Sequence, residues 1–208
     1  MKKNINSVVD RSGSCAVVML VTPTTIYVAN VGDSRAIMSF NGGHSFASIS
    51  RDHKPGELGE KTRIERAGGK IYQSNVVNPS NQAQSILGPV RVLPGRLSVS
   101  RTFGDCMAKF EKYGGNPRCI VAEPDIFKVP NKADLDFILI ASDGIFDRIE
   151  TEATCKLVVD EACACVAANS VSDAQGGLSP GKRRRIDFET VSRCCGHGVD
   201  RVMTAAME

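Results

Sequence analysis

The sequence predicts a mixed α+β fold, and three observations carry that expectation. The first forty residues hold three short runs of β-branched and apolar residues divided by turn-forming ones. A charged stretch with helical patterning follows at 56–69. After a second oily run at 135–141, the spacing of apolar residues turns helical.

In order along the chain, SCAVVMLV (14–21), TIYVANV (25–31) and RAIMSF (35–40) read as strands. The links TPT and GDS are short, so the three are expected as antiparallel neighbours in one meander. The near-continuous apolar character of the first suggests burial on both faces. GELGEKTRIERAGG (56–69) interleaves Glu57, Glu60 and Glu65 with Lys61, Arg63 and Arg66. It ends at Gly68-Gly69, which predicts a helix and its stop. The polar, aperiodic residues 73–89 are expected to form a long surface loop. Short β segments and turns resume at RVLPGRLSVSRTFGD (91–105). A strand IFKVP (126–130) precedes the run DLDFILIASDGIFD (134–147). Thr151 is placed as the N-cap of a helix reaching about residue 168. Residues 169–187, rich in Ser, Gly and basic residues, are expected to be a disordered insertion. GVDRVMTAAME (198–208) closes the sequence at amphipathic helical spacing.

DLDFILIASDGIFD holds the first candidate site. If a helical turn begins at Gly144, Asp143 and Asp147 point the same way, four residues apart. Two readings stay open: acidic residues that cap the next helix, or oxygen ligands for a cation. Paired carboxylates repel unless a cation or a proton lies between them, and such hard donors suit Mg²⁺ or Mn²⁺ better than Zn²⁺. Asp33, in VANVGDSR, repeats the setting of apolar strand, Gly, Asp and turn. Beside it, Arg35 is suited to a carboxylate or a phosphate.

Other chemistries find little support. Ala141 stands two residues before Asp143, where a D-x-D phosphotransferase would carry its nucleophile. There is no phosphate-binding loop with Lys-Ser or Lys-Thr, and Ser142 lacks a G-x-S-x-G elbow. His53, in RDHKP, is read as fixing a turn. Cys163, Cys165, Cys194, Cys195 and His197 offer soft ligands for Zn²⁺ as the basis of an interaction module, though without C-x₂-C spacing.

Composition sets outer bounds. The 208 residues are 42% hydrophobic and 24% charged, the balance of an ordinary globular protein with one sizeable core. A net charge of +3, with Lys182-Arg183-Arg184-Arg185 supplying much of it, is too small to call for a nucleic-acid or membrane partner. No apolar run approaches the roughly 20 residues of a membrane span. Eight scattered cysteines without a signal peptide suit reduced thiols and a cytoplasmic setting, with 182–185 as a candidate nuclear address.

Together these segments resemble the metal-dependent serine/threonine protein phosphatases of type 2C. SGSCAVVMLV is similar to that family's Gly-Ser strand and VANVGDSRAIM to its V-G-D-S-R segment. SRDHKP with EKTRIERAGGKI is similar to its next block. GRLSVSRTFGD, VAEPDI and FILIASDGIFD are similar to its L-x-V-S-R-x-F-G-D, E-P-D and S-D-G-x-x-D blocks, in the family's order. The resemblance implies an α-β-β-α sandwich binding Mg²⁺ or Mn²⁺, and hydrolysis of phosphoserine or phosphothreonine proteins by metal-activated water. It makes Asp143 a ligand of the core metal pair, and Asp33, Asp143 and Asp147 a further, weaker metal position. It makes residues 54–100 a flap that shapes substrate choice.

The family's D-G-H-G-G block, its early phosphate-binding Arg and its late D-N block are not in this sequence. The expectation is therefore a single partial catalytic domain over 1–208, incomplete at both ends, monomeric, with little or no activity alone. The alternative is an inactive pseudophosphatase that binds phosphoproteins.

Overall fold

The computed structural model describes residues 10–78, 81–172 and 188–207. In chain order the strands are β1 (Gly13–Ser14), β2 (Ala16–Val21), β3 (Thr25–Val31), β4 (Arg35–Phe40) and β5 (Ser45–Ser48). Helix α1 (Leu58–Arg66) leads to β6 (Lys70–Asn78) and β7 (Asn81–Leu93). There follow β8 (Phe103–Gly104), α2 (Cys106–Lys109), β9 (Asp125–Pro130), β10 (Leu135–Ala141), α3 (Asp143–Phe146), α4 (Thr151–Ser172) and α5 (Phe188–Met207). The described residues divide into two compact units. One comprises the chain up to Ser34 with Ser50–Pro130, the other Arg35–Ile49 with the chain from Asn131 onward.

In the first unit β2, β3 and β9 form an antiparallel sheet in that order. Alternation along β3 buries Ile26 and Val28 on one face. The expectation that the first strand is covered on both faces is not met. Val18 is 63% and Leu20 61% exposed, and their row continues across Ala29 to the exposed Ile126. An unbroken apolar run specifies a strand, but it does not say how many layers cover it. A second core gathers Ile64 of α1 with Val92, Ala108, Cys119 and Ile120. α1 stops where the sequence says it should: Gly68, at φ +84°, donates to the Glu65 carbonyl and Gly69 to that of Ile64.

Of the stretch expected as a loop, the described residues 73–78 and 81–89 are strand. They belong to an antiparallel hairpin in which β6 pairs with β7 from Lys70 opposite Leu93 to Asn78 opposite Asn81. Among the described side chains Gln73, Ser74, Asn75 and Leu87 are exposed, while Ile71 and Val92 at the base of the hairpin pack into the core of the first unit.

The second unit holds an antiparallel sheet ordered β10-β4-β5. β3 and β4 therefore lie in different sheets, and the three-strand meander expected of the first forty residues is corrected to a β2–β3 pair only. At the GDS link Gly32 takes φ +110°, and the chain leaves the first sheet there instead of closing a hairpin. A core of Ile37, Ile145, Phe146, Cys155, Val158 and Val202 joins β4, α3, α4 and α5. The Asp136 carboxylate on β10 accepts from the amides of Gly42 and Gly43 and from Ser39 Oγ, at 2.9–3.0 Å, which fixes the turn between β4 and β5.

Helix α4 begins at Thr151 itself and runs to Ser172, so residues 169–172 of the expected insertion are helical. Residues 173–187 lie outside the described residues. α5 starts at Phe188, ten residues before the amphipathic segment read from sequence. Among the described residues no helix is long and apolar enough to cross a membrane.

Candidate functional site

Asp143 and Asp147 sit where β10 gives way to the single turn α3. The oily side of that turn, Ile145 and Phe146, is buried in the core of the second unit, so the two aspartates fall on its exposed side. The Asp147 amide donates to the Asp143 carbonyl at 2.8 Å, which sets the carboxylates one helical turn apart. The N-cap of α3 is Ser142, which makes no side-chain capping bond, and the next helix opens at Thr151.

Arg35 is anchored in the same unit. Its Nη1 donates to Thr151 Oγ1 at 2.9 Å, and its guanidinium lies over the Phe146 ring, 4.8 Å from the centroid. That contact braces α3 from the side of β4.

Asp33 lies in the first unit and is 9% exposed. The Cys15 thiol donates to its Oδ1 at 3.4 Å. The preceding Gly32 is held on both sides. Its amide donates to His53 Nδ1 at 3.0 Å, and its carbonyl accepts from the His53 amide at 2.9 Å and from Asn30 Nδ2 at 3.2 Å. A Cβ on Gly32 would come within 2.2 Å of Cys15 Sγ, so only glycine fits.

Sequence reasoning missed a buried polar network that organises this first unit. Glu60 Oε2 accepts from Ser100 Oγ at 2.5 Å and from Arg63 Nη2 at 2.7 Å, while Oε1 takes two bonds from Arg101. Arg101 Nη1 reaches on to Asp125 Oδ1 at 2.8 Å, and Asp125 Oδ2 lies 3.2 Å from His53 Nε2 in a bent contact. Burial would raise the Glu60 carboxyl, but the hydrogen bonds from Arg101, Arg63 and Ser100 win and hold it at about 2. Burial, then the nearby Arg101, lowers His53, which outweighs the contact with Asp125 and keeps the imidazole neutral. The signal available in the sequence was a glutamate on the apolar side of a helix, four residues before the core residue Ile64.

As a donor set, Asp143 and Asp147 fit a hard divalent cation: two exposed carboxylates on one rigid turn, with water free to complete an octahedral shell. They do not form a closed protein cage. Among the described residues no group of three or more His, Cys, Asp or Glu is gathered closely enough to hold a metal. Cys163 is a free, exposed thiol, and the side chains of Cys165, Cys194, Cys195 and His197 lie outside those described.

Residues 1–175 match the family described as Protein phosphatase 2C. The chain belongs to the protein phosphatase 2C family. It is 34% identical over 150 residues to protein phosphatase 1B of Rattus norvegicus, covering 72% of this chain and 34% of the relative. To the probable protein phosphatase 2C 69 of Arabidopsis thaliana it is 37% identical over 156 residues, 75% of this chain and 37% of the relative. The chain thus spans about a third of the length of these curated relatives.

Among solved structures, a C. elegans sex determining protein aligns over 92% of this chain and 38% of its own, with a TM-score of 0.58 and 24% identity. The serine-threonine phosphatase 2C from Toxoplasma gondii aligns over 77% and 53%, with a TM-score of 0.52 and 18% identity. Both likenesses concern the fold alone, which is the mixed α+β fold of the protein phosphatase 2C family. The Glu60, Arg101, Asp125 and Asp143 positions all fall within the matched residues.

Proposed function

We propose that this chain forms part of a metal-dependent protein serine/threonine phosphatase. It acts on phosphoserine and phosphothreonine proteins, with Asp143, Asp147 and Asp33 as the carboxylates it contributes to Mg²⁺ or Mn²⁺. The observation that carries this reading is the Asp143–Asp147 pair, exposed on a turn whose other side is locked into the core. When bound, the cation supplies a Lewis acid and lowers the pKa of water toward neutrality, giving a nucleophile for phosphorus. The residues of the chain hold and orient. Ile145 and Phe146 keep the turn from relaxing, and Arg35 braces it through Thr151 and Phe146. The hairpin and helix within 54–100 would shape substrate choice as a flap.

With two carboxylates on α3 and no D-G-H-G-G block in the sequence, the chain alone is expected to turn over phosphopeptides slowly or not at all. Mn²⁺ titration followed by electron paramagnetic resonance tests the site independently of turnover. Asp143→Asn is expected to weaken Mn²⁺ binding about tenfold, the loss of one charged ligand being worth ~1.4 kcal/mol or more. Binding unchanged in that variant would refute the assignment.

A further inference from the structure

We propose that His53 is a positioning residue for Asp33, acting through the Gly32 peptide in one fixed tautomer. The role follows from the reading of Asp33 as a metal-ligating carboxylate.

His53 is completely buried, yet it belongs to neither hydrophobic core, and all its polar atoms face the first unit's polar groups. Its backbone amide donates to the Gly32 carbonyl and its Nδ1 accepts from the Gly32 amide, so one residue grips both ends of the glycine that precedes Asp33. Asn30 Nδ2 adds a second donor to the same carbonyl. With φ at +110° and Cys15 Sγ filling the place of a Cβ, Gly32 cannot relax into an ordinary conformation. The direction in which Asp33 leaves β3 is therefore set by these contacts.

The tautomer is part of the device. Accepting from Gly32 requires a bare Nδ1, which leaves the proton on Nε2. Asp125 Oδ2 lies 3.2 Å from Nε2 on that side, in a contact too bent to make a hydrogen bond. Asp125 is itself placed by Arg101, and Arg101 by Glu60 on α1. A proton on Nδ1 would set two donors against each other and release Gly32. The His53 carbonyl accepts from the Ser100 amide at 2.8 Å, which fixes the backbone from which the imidazole extends.

Two substitutions separate the ring nitrogens. Asn carries its amide oxygen near the place of Nδ1, whereas Gln extends its polar group toward the place of Nε2. With the full 208-residue chain, Mn²⁺ binding would be measured by electron paramagnetic resonance for wild type, Asp33→Asn, His53→Asn and His53→Gln, each checked for folding by circular dichroism. Asp33→Asn is expected to weaken binding several-fold, His53→Gln to a similar extent, and His53→Asn by less than twofold. If Asp33→Asn weakens binding while folded His53→Gln binds as wild type, the positioning role is overturned and the metal reading survives. If Asp33→Asn binds as wild type, both fall. Should His53→Gln fail to fold, imidazole ¹⁵N shifts of the wild-type chain decide. A bare Nδ1 and a protonated Nε2 are expected, and a proton on Nδ1 overturns the proposal.

Discussion

Arg101 donates twice to one oxygen of Glu60: Nη2 at 2.7 Å and Nε at 3.2 Å both reach Oε1, and the two side chains are only 13% and 7% exposed. A pair this buried contributes little when set against two apolar residues, but breaking it strands a charge. Glu60→Ala should lower the unfolding free energy by about 3–5 kcal/mol, because Arg101 and Arg63 lose their shared carboxylate. Guanidinium denaturation checks this: the midpoint should fall with the slope retained. A loss below about 1 kcal/mol would mean that water replaces the carboxylate at little cost.

Acid should find the same residue. Glu60 stands at about 2 against an ordinary 4.5. A carboxyl depressed in the folded state stabilises fully above its unfolded-state value and loses that contribution as pH falls through the folded one. The window for Glu60 therefore runs from pH 4.5 down to about 2. Over it, stability at constant ionic strength should drop by roughly 3 kcal/mol on account of this group. Asp125 and Asp136 are depressed too and add loss in the same direction, since in each the bonds it accepts overcome its burial. Glu60→Gln should flatten the curve. Parallel curves for the two proteins would assign the acid sensitivity elsewhere.

Asp136 offers a control for the metal assignment. It stands on β10, seven residues before Asp143 at the start of α3, yet its oxygens are taken by Gly42, Gly43 and Ser39. Asp136→Ala should cost about 1–3 kcal/mol through the freed amides of the β4–β5 turn. Mn²⁺ binding should stay within twofold of wild type. A tenfold loss there would make Asp136 a ligand after all.

The thiols should differ sharply in reactivity. Burial pushes Cys155 up to about 11 and also raises Cys119, whereas Cys163 is exposed. Iodoacetamide at pH 8, mapped by mass spectrometry, should label Cys163 well before Cys119 or Cys155, since the thiolate is the reacting form. Equal labelling of all three would mean that the cores around Cys119 and Cys155 both open readily.

What could be read from sequence was what periodicity and local chemistry encode. The strands at 25–31 and 135–141, the helix ending at Gly68-Gly69, and the pair Asp143–Asp147 at a strand exit follow from short-range pattern. The β6–β7 hairpin was missed because the polar run from Gln73 to Asn75, exposed in the structure, prints no period of two in the sequence. The separation of β3 from β4 was missed because a three-residue link looks the same whether it closes a hairpin or leaves a sheet. The Glu60 network was out of reach for a different reason. Its members, from His53 to Asp125, are scattered over more than seventy positions, and the one local signal, Glu60 four residues before Ile64, does not name its partners.

β4 pairs with β5 on one edge and with β10 on the other, and the two partners are very different distances away in the chain. The β5 partner arrives within a few residues, the β10 partner only after about 95, from Phe40 to Leu135. At a synthesis rate of about 5–20 residues per second, β4 waits on the order of 5–20 s with Ile37 and Met38 lacking their permanent neighbours. During that interval the stretch Arg35–Phe40 is open to wrong pairing and to capture by chaperones. The β4–β5 turn, tied only later by Asp136, is complete when the strand leading to Asp143 emerges.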